Sequence, residues 1–112
     1  SPLACGYLTG KYQGGAVPEG SRKSIGENMG GRASARVETA TSAYLEIAAK
    51  YGVDPTHMAL AWTLTRPFPT IPIFGATTLD QLTHILEGLD VKLTKELLAD
   101  VDKAHRGHPL PY

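Results

Sequence analysis

Only one stretch of this chain, Thr70-Ile71-Pro72-Ile73-Phe74, reads as a complete β-strand, and that constrains the fold more than any other feature. The run is short, apolar and bounded by Pro69 and Gly75, which is the pattern of a strand buried on both faces in a parallel sheet. Pro72 has no amide to give to a ladder, so the strand must start there or leave that position unpaired. A single strand cannot make a sheet. Its backbone donors and acceptors stay unsatisfied unless more sheet exists elsewhere.

Most of the remaining sequence is helical by spacing. From Ala35 to Lys50, Val37, Ala40, Tyr44, Ile47 and Ala48 recur on one face, with Ser34 placed to cap the start and Gly52 to end it. Asp54 followed by Pro55 is an N-cap with proline at the first helical position, opening a helix that carries Met58, Ala61, Trp62 and Leu64 and stops before Pro67. After Gly75, Thr78 and Gln81 have capping-box spacing, and Leu79, Leu82, Leu86 and Leu89 form one apolar face. A last helix starts near Thr94 and buries Leu97, Leu98, Val101 and Ala104, while Lys103, His105 and Arg106 suit its negative C-terminal end. Counting Ser1 to Ala4 as the tail of another strand gives two βα units, a quarter of an eight-unit barrel of about 250 residues.

Eight of the twelve glycines fall within the first 31 residues, which predicts a long loop there. Loops beyond about 15 residues are uncommon inside a compact domain and are usually functional or disordered. Either a ligand-contacting lid or a frayed terminus accounts for it.

Charge narrows the ligand. Eleven basic and eleven acidic side chains cancel, so nothing favours a nucleic acid or an anionic membrane, and a small molecule is expected. The one cysteine, Cys5, cannot form an intrachain disulfide, and no leader or long apolar run is present, so a cytoplasmic setting is expected. The chain opens at Ser1 without an initiator methionine, and its beginning is expected to be missing. Oligomeric state is left open.

Three groups of residues have chemical potential. The strand ending at Phe74, followed by Gly75 and a helix capped at Thr78, presents free amides and a positive dipole end suited to phosphate, though such junctions are also common as plain structure. Ser21-Arg22-Lys23 offers a hydroxyl and two cations, a set that suits a phosphomonoester or is simply solvated. His57, His84, His105 and His108 show no close pair at metal-ligand spacing on one face, so no metal is expected. Cys5 has only Tyr7 and Lys11 nearby in sequence, which favours a packed or cofactor-contacting thiol over a nucleophile.

The opening Ser1-Pro2-Leu3-Ala4-Cys5-Gly6-Tyr7-Leu8-Thr9-Gly10-Lys11-Tyr12 closely resembles the SPLxxGxLTGKY signature of aldo-keto reductases, in the branch of the bacterial Tas-like reductases and potassium-channel β subunits. Ser21-Arg22, Asp54-Pro55 through Trp62, and Gly75 through Leu82 agree in order and spacing. The resemblance implies an α/β fold, the C-terminal portion of a TIM (β/α)8 barrel: end of strand 7, long loop, helix 7 with an extra helix, strand 8, helix 8 and a C-terminal helix. Residues 1–112 are then a partial reductase domain, and residues 1–34 its cofactor-contacting strand end and glycine-rich loop.

The same resemblance implies NADP(H) as cofactor. Ser1, Pro2, Leu3, Ala4, Cys5 and Gly6 match positions lining the nicotinamide and pyrophosphate region; Lys11, Ser21 and Arg22 match residues that fold over the cofactor; Gly75, Thr77 and Gln81 match those at the adenosine 2′-phosphate. Where the family continues with Glu-Asn to hold the adenine, this chain has His84 and Ile85. Losing one neutral hydrogen bond there weakens binding by about 1 kcal/mol, and Ile85 is expected to pack.

The implied parent enzyme reduces aldehydes or ketones to alcohols, using a catalytic tyrosine with a lysine, a histidine and an aspartate that all lie upstream. None of Tyr7, Tyr12, Tyr44, Tyr51 or Tyr112 matches that tyrosine's motif, so no catalytic residue is expected here and the isolated segment should be inactive. Two alternatives compete: an NADP(H)-sensing regulatory protein like a channel β subunit, and a stand-alone helical module that binds no cofactor.

Overall fold

The computed structural model describes residues 1–112. It holds five α-helices: α1 (Arg22–Ile25), α2 (Ala35–Lys50), α3 (Pro55–Leu64), α4 (Leu79–Glu87) and α5 (Lys95–Gly107). Tight 3-10 turns over Ala4–Thr9 and Gln13–Gly15 precede them. The four longer helices start where their capping residues require. Ser34 accepts from the Val37 amide at 3.2 Å, Asp54 from Thr56 and His57 at 2.8 and 3.1 Å, Thr78 from Gln81 at 3.2 Å and Thr94 from Leu97 at 3.2 Å. Each cap satisfies an amide that has no partner within the helix, worth about 1 kcal/mol.

The turn between α2 and α3 is fixed by backbone geometry. Gly52 takes a left-handed φ of 64°, its amide donates to the Ala49 carbonyl at 3.2 Å, and the Val53 amide donates back to Ala48 at 2.9 Å. This is a Schellman motif, and Val53 completes it by packing into the core beside Ala48.

The expected strands are absent. Thr70 to Phe74 runs without a ladder, and Ile71 and Ile73 are 88% and 83% exposed, where a strand buried on both faces should hide them. The physical reason is the one the sequence raised: none of the 112 residues supplies a neighbouring strand. Ser1 to Ala4 is not a strand end either. The Ala4 amide donates to the Ser1 carbonyl at 3.2 Å and closes a turn instead. The leucine face of α4 shares this fate, with Leu79, Leu82, Leu86 and Leu89 all exposed. The helices expected from sequence are therefore present, while neither expected strand of the barrel portion forms.

Helix α2 organises what does pack. It contacts α3, α5 and the Ala4–Thr9 turn. Near its C-terminal end, Ile47 and Ala48 join Met58, Leu97 and Val101 in one core, flanked by Tyr44, Tyr51, Val53, Trp62, Leu93 and Ala104. At its N-terminal end, Val37 joins Tyr7, Tyr12 and Met29 in a second core that anchors the glycine-rich segment. That segment is thus folded rather than frayed, although it has little regular structure. No helix is long and apolar enough to cross a membrane.

Two predictions test this packing. Leu97 is 1% exposed at the centre of the first core, so Leu97→Ala should cost about 2–5 kcal/mol in chemical denaturation; a loss well under 1 kcal/mol would show that α5 is not docked there. At the rim, Asp100 accepts from Lys50 Nζ at 2.7 Å and from the Tyr51 hydroxyl at 2.8 Å. The Lys50 hydrogen bond first, and the Tyr51 bond second, hold the Asp100 carboxyl below its ordinary range. A depressed folded-state value means that the contribution is present above the ordinary carboxylate pKa and is lost as pH falls through the lowered one. For Lys50 the same bond raises the value, so its share is present below the ordinary lysine pKa and is lost as pH rises through the raised one. Asp100→Asn should flatten the acid side of a melting-temperature-against-pH curve by a small amount, since the pair is partly solvated. An unchanged acid limb would remove this triad from the docking of α2 on α5.

Candidate cofactor-binding site

The residues that the sequence marks as cofactor-binding fall into two groups. Ser1, Pro2, Leu3, Ala4, Cys5 and Gly6 form a tight turn in which Ala4, Cys5 and Gly6 are all left-handed, with φ of 48°, 59° and 98°. For the two non-glycine residues this costs roughly 1–2 kcal/mol each. Local bonds hold the strain: the Cys5 amide donates to Ser1 Oγ at 3.3 Å, and the Gly6 amide to the Leu3 carbonyl at 2.9 Å. Tyr7, buried at the foot of the turn, meets Tyr12 edge to face with ring centroids 5.4 Å apart, and burial pushes its hydroxyl above the usual tyrosine range, with the Glu38 charge adding to it. Backbone strain of this kind persists where surrounding packing enforces it, and it clusters at ligand sites.

Lys11 folds back over this turn. Its ammonium lies 5.3 Å from the Tyr12 ring centroid, and a Cβ at Gly6 would come within 2.9 Å of Lys11 Cε. Glycine is favoured here by its φ of 98°, and a Cβ would also push aside the end of the exposed lysine stem. The Tyr12 hydroxyl also accepts from the Lys23 amide at 3.4 Å, which ties Ser21-Arg22-Lys23 to the same floor. Ser21 is buried and caps α1 by accepting from Ser24 at 3.4 Å. Lys23 pairs with Glu38 at 3.7 Å, whereas Arg22 and Lys11 face solvent without a carboxylate partner. Cys5 Sγ accepts from Arg32 at 3.7 Å and packs against the core of Tyr7, Tyr12, Met29 and Val37.

The second group surrounds the start of α4. Gln81 Oε1 accepts from the Thr77 amide at 2.8 Å and from the Thr77 hydroxyl at 3.0 Å. Gln81 therefore does reach back, but one residue further than Thr78, the capping-box target. Gly75, Thr77 and Gln81 are all exposed. No hydrogen bond or ion pair joins this group to the Ser1–Gly6 turn, because the unpaired Thr70–Phe74 segment cannot place one beside the other.

Several participants were hidden from the sequence. Tyr7, Tyr12 and Met29 make the buried floor of the loop; two aromatics in an otherwise small and polar stretch were the available sign. The C-terminal tail returns across α2, with Ser34 Oγ donating to the Pro111 carbonyl at 2.8 Å and Arg32 stacked 5.1 Å from the Tyr112 ring. It closes an apolar hollow against Ala4, Leu8 and Tyr44. Ile85 is buried, as expected of a packing residue, while His84 is exposed and lies 3.1 Å from Asp54. The sequence expectation concerned histidines sharing one helix face, and the approach seen here is between helices. His57 and His84, on different helices, stack with centroids 4.6 Å apart.

Gly6→Ala tests the turn. It should destabilise the chain by more than about 1 kcal/mol through the forced left-handed φ and displacement of Lys11, read by thermal or chemical melting. A neutral result would mean that the turn has another conformation.

Residues 1–106 match the Aldo/keto reductase family. Protein tas of Escherichia coli (strain K12) is 37% identical over 111 residues, which cover 99% of this chain and 32% of that protein. A putative voltage-gated potassium channel subunit beta of Schizosaccharomyces pombe is 34% identical over 118 residues, covering 98% of this chain and 34% of the relative. A probable subunit of the same kind in Oryza sativa subsp. japonica is 33% identical, with 97% and 35% covered. The chain thus spans about a third of the length of the curated relatives it matches, 32% to 35% in these three. A match that runs from the strained Ser1–Gly6 turn to Arg106 on α5 means that the chain belongs to the aldo/keto reductase family.

Proposed function

We propose that this chain is the cofactor-holding portion of an NADP(H)-dependent oxidoreductase that reduces aldehydes or ketones to alcohols. The observation that carries the reading is that Lys11 and Arg22 are exposed without a carboxylate partner beside the strained Ser1–Gly6 turn, Lys11 over the buried Tyr12 ring and Arg22 next in sequence to the Lys23 amide that Tyr12 accepts. Lys23 of the same segment, by contrast, pairs with Glu38. Cations without an internal acid suit the phosphates of a dinucleotide, and Arg22 suits a 2′-phosphate because its guanidinium can bind two oxygens at once. Gln81 and Thr77, at the start of α4, supply neutral polar contacts and a positive helix end to the same group.

In this reading NADPH supplies the hydride when bound, and the residues of this chain bind and orient it. Ser1 to Gly6 line the nicotinamide and pyrophosphate; Lys11, Ser21 and Arg22 cover it; Gly75, Thr77 and Gln81 hold the adenosine end. The proton donor and its partners belong to the part of the polypeptide outside these residues. A TIM barrel would bring the two groups together along one strand edge. What supports it here is the exposed apolar band of Ile71, Ile73, Leu79, Leu82, Leu86 and Leu89, together with the buried but unpartnered Trp62 Nε1. An apolar area of this extent on a small chain calls for a covering surface, and a partnerless indole N–H costs free energy until one is supplied.

The test is made in the whole polypeptide. Arg22→Ala and Gln81→Ala should each weaken NADPH binding, Arg22→Ala by about 10- to 100-fold for a charge-assisted contact, with little change for NADH. Equal losses for both nucleotides would sink the assignment. The relatives described as potassium channel β subunits motivate a second reading, a nucleotide-sensing regulatory protein. Rapid NADPH-dependent turnover of simple aldehydes would decide against it.

A further inference from the structure

We infer that Asp54, His57 and His84 form a binding site for a divalent transition metal ion of the Zn²⁺ class, joining the start of α3 to α4. One ligand atom from each residue lies within 4.8 Å of the others. Asp54 Oδ2 and His84 Nε2 are 3.1 Å apart, close to the edge of a tetrahedron whose bonds are about 2.0–2.1 Å long. An ion replacing the proton between these two atoms needs no movement of that edge. The third ligand requires a side-chain rotation of His57, whose ring stacks on His84 and must turn to aim its in-plane lone pair at the ion.

The outer contacts point the same way. His57 Nε2 meets the His84 carbonyl. A carbonyl oxygen only accepts, so Nε2 carries the hydrogen and the lone pair sits on Nδ1, free to bind metal. With His84 ligating through Nε2, its Nδ1 hydrogen is directed toward Glu87, whose carboxylate lies 3.9 Å away. His57 thus has an acceptor on the nitrogen opposite the metal, and His84 has a carboxylate near its own, the kind of outer contact that orients metal-binding histidines and raises their basicity. Asp54 uses its other oxygen, Oδ1, to cap α3, which holds the carboxylate rigidly. One carboxylate and two neutral imidazoles leave a fourth position for water or another small donor.

The site has a structural consequence. Helix α4 reaches the rest of the chain through buried Ile85, through Gly88, where a Cβ would collide with the His57 ring, and through His84. An ion at this joint staples α4, and with it Gln81, to the bundle.

The experiment uses the natural full polypeptide carrying these residues, without nucleotide, so that its outcome is independent of the cofactor reading. Zn²⁺ is titrated against a chromophoric chelator, and Co²⁺ is added separately to read ligand-field absorbance. The expected result is one equivalent of tight binding, a tetrahedral Co²⁺ spectrum and a raised melting temperature. His84→Asn and His57→Gln should each weaken binding by at least about tenfold, and Glu87→Gln by about tenfold through its contact with His84. His84 is exposed, so His84→Asn should fold, and circular dichroism checks this. Absence of stoichiometric binding, or binding unchanged in a folded His84→Asn variant, overturns the proposal.

Discussion

The packing of α2 is the interaction on which the rest of this chain depends. At about 1.5 Å per residue its 16 residues extend over some 24 Å, long enough to serve two separate cores. Ile47 and Ala48 bury against α3 and α5 near one end, while Val37 buries against Tyr7, Tyr12 and Met29 near the other. The glycine-rich segment is hydrogen-bonded only into short local turns, and that second core is what ties those turns to the bundle. Lys11 and Lys23 both meet Tyr12, which is buried in a core to which α2 contributes Val37. A change that loosened α2 would therefore reach the Ser1–Gly6 turn without touching it.

A second constraint acts by what it leaves unsatisfied. The hydrophobic pattern of Thr70 to Phe74 and of α4 is written for a sheet and for neighbours that this chain does not supply, so Ile71, Ile73 and the leucines of α4 face solvent. Helices close their backbone hydrogen bonds within themselves, whereas a strand closes them only with another strand. That difference explains why every long helix forms at its expected position while neither expected strand does.

Legibility in the sequence follows the same division. Ser34, Asp54, Thr78 and Thr94 each act on an amide two or three residues away, so the helix starts could be read from local spacing. The Gly52 turn was equally local. The aromatic floor beneath the glycine-rich loop, the return of the C-terminal tail to Ser34, and the meeting of His57 with His84 join residues 11 to 77 positions apart. No periodicity encodes such pairs. The family signature located the candidate binding residues because it is a record of tertiary placement that spacing alone does not contain. It could not indicate that Gln81 bonds to Thr77, because that bond depends on how the chain enters α4.

The two halves of the candidate site differ in how they are held, and this bears on how binding would be assembled. The Ser1–Gly6 turn is held by local hydrogen bonds and by Ala4 and Cys5 packing on the Tyr7–Tyr12 core, so ordering it for a ligand adds little entropic cost. Gly75, Thr77 and Gln81 lie on an exposed segment whose preceding residues have no ladder, and they owe their local shape to the Gln81–Thr77 bonds alone. Bringing the second group to the first is a task for sheet hydrogen bonds, which fix the spacing between adjacent strands at about 4.8 Å. Affinity for a ligand spanning both groups would then be a property of the sheet as much as of the residues that touch the ligand. A substitution disturbing the register of Thr70–Phe74 would act on binding while removing no contact.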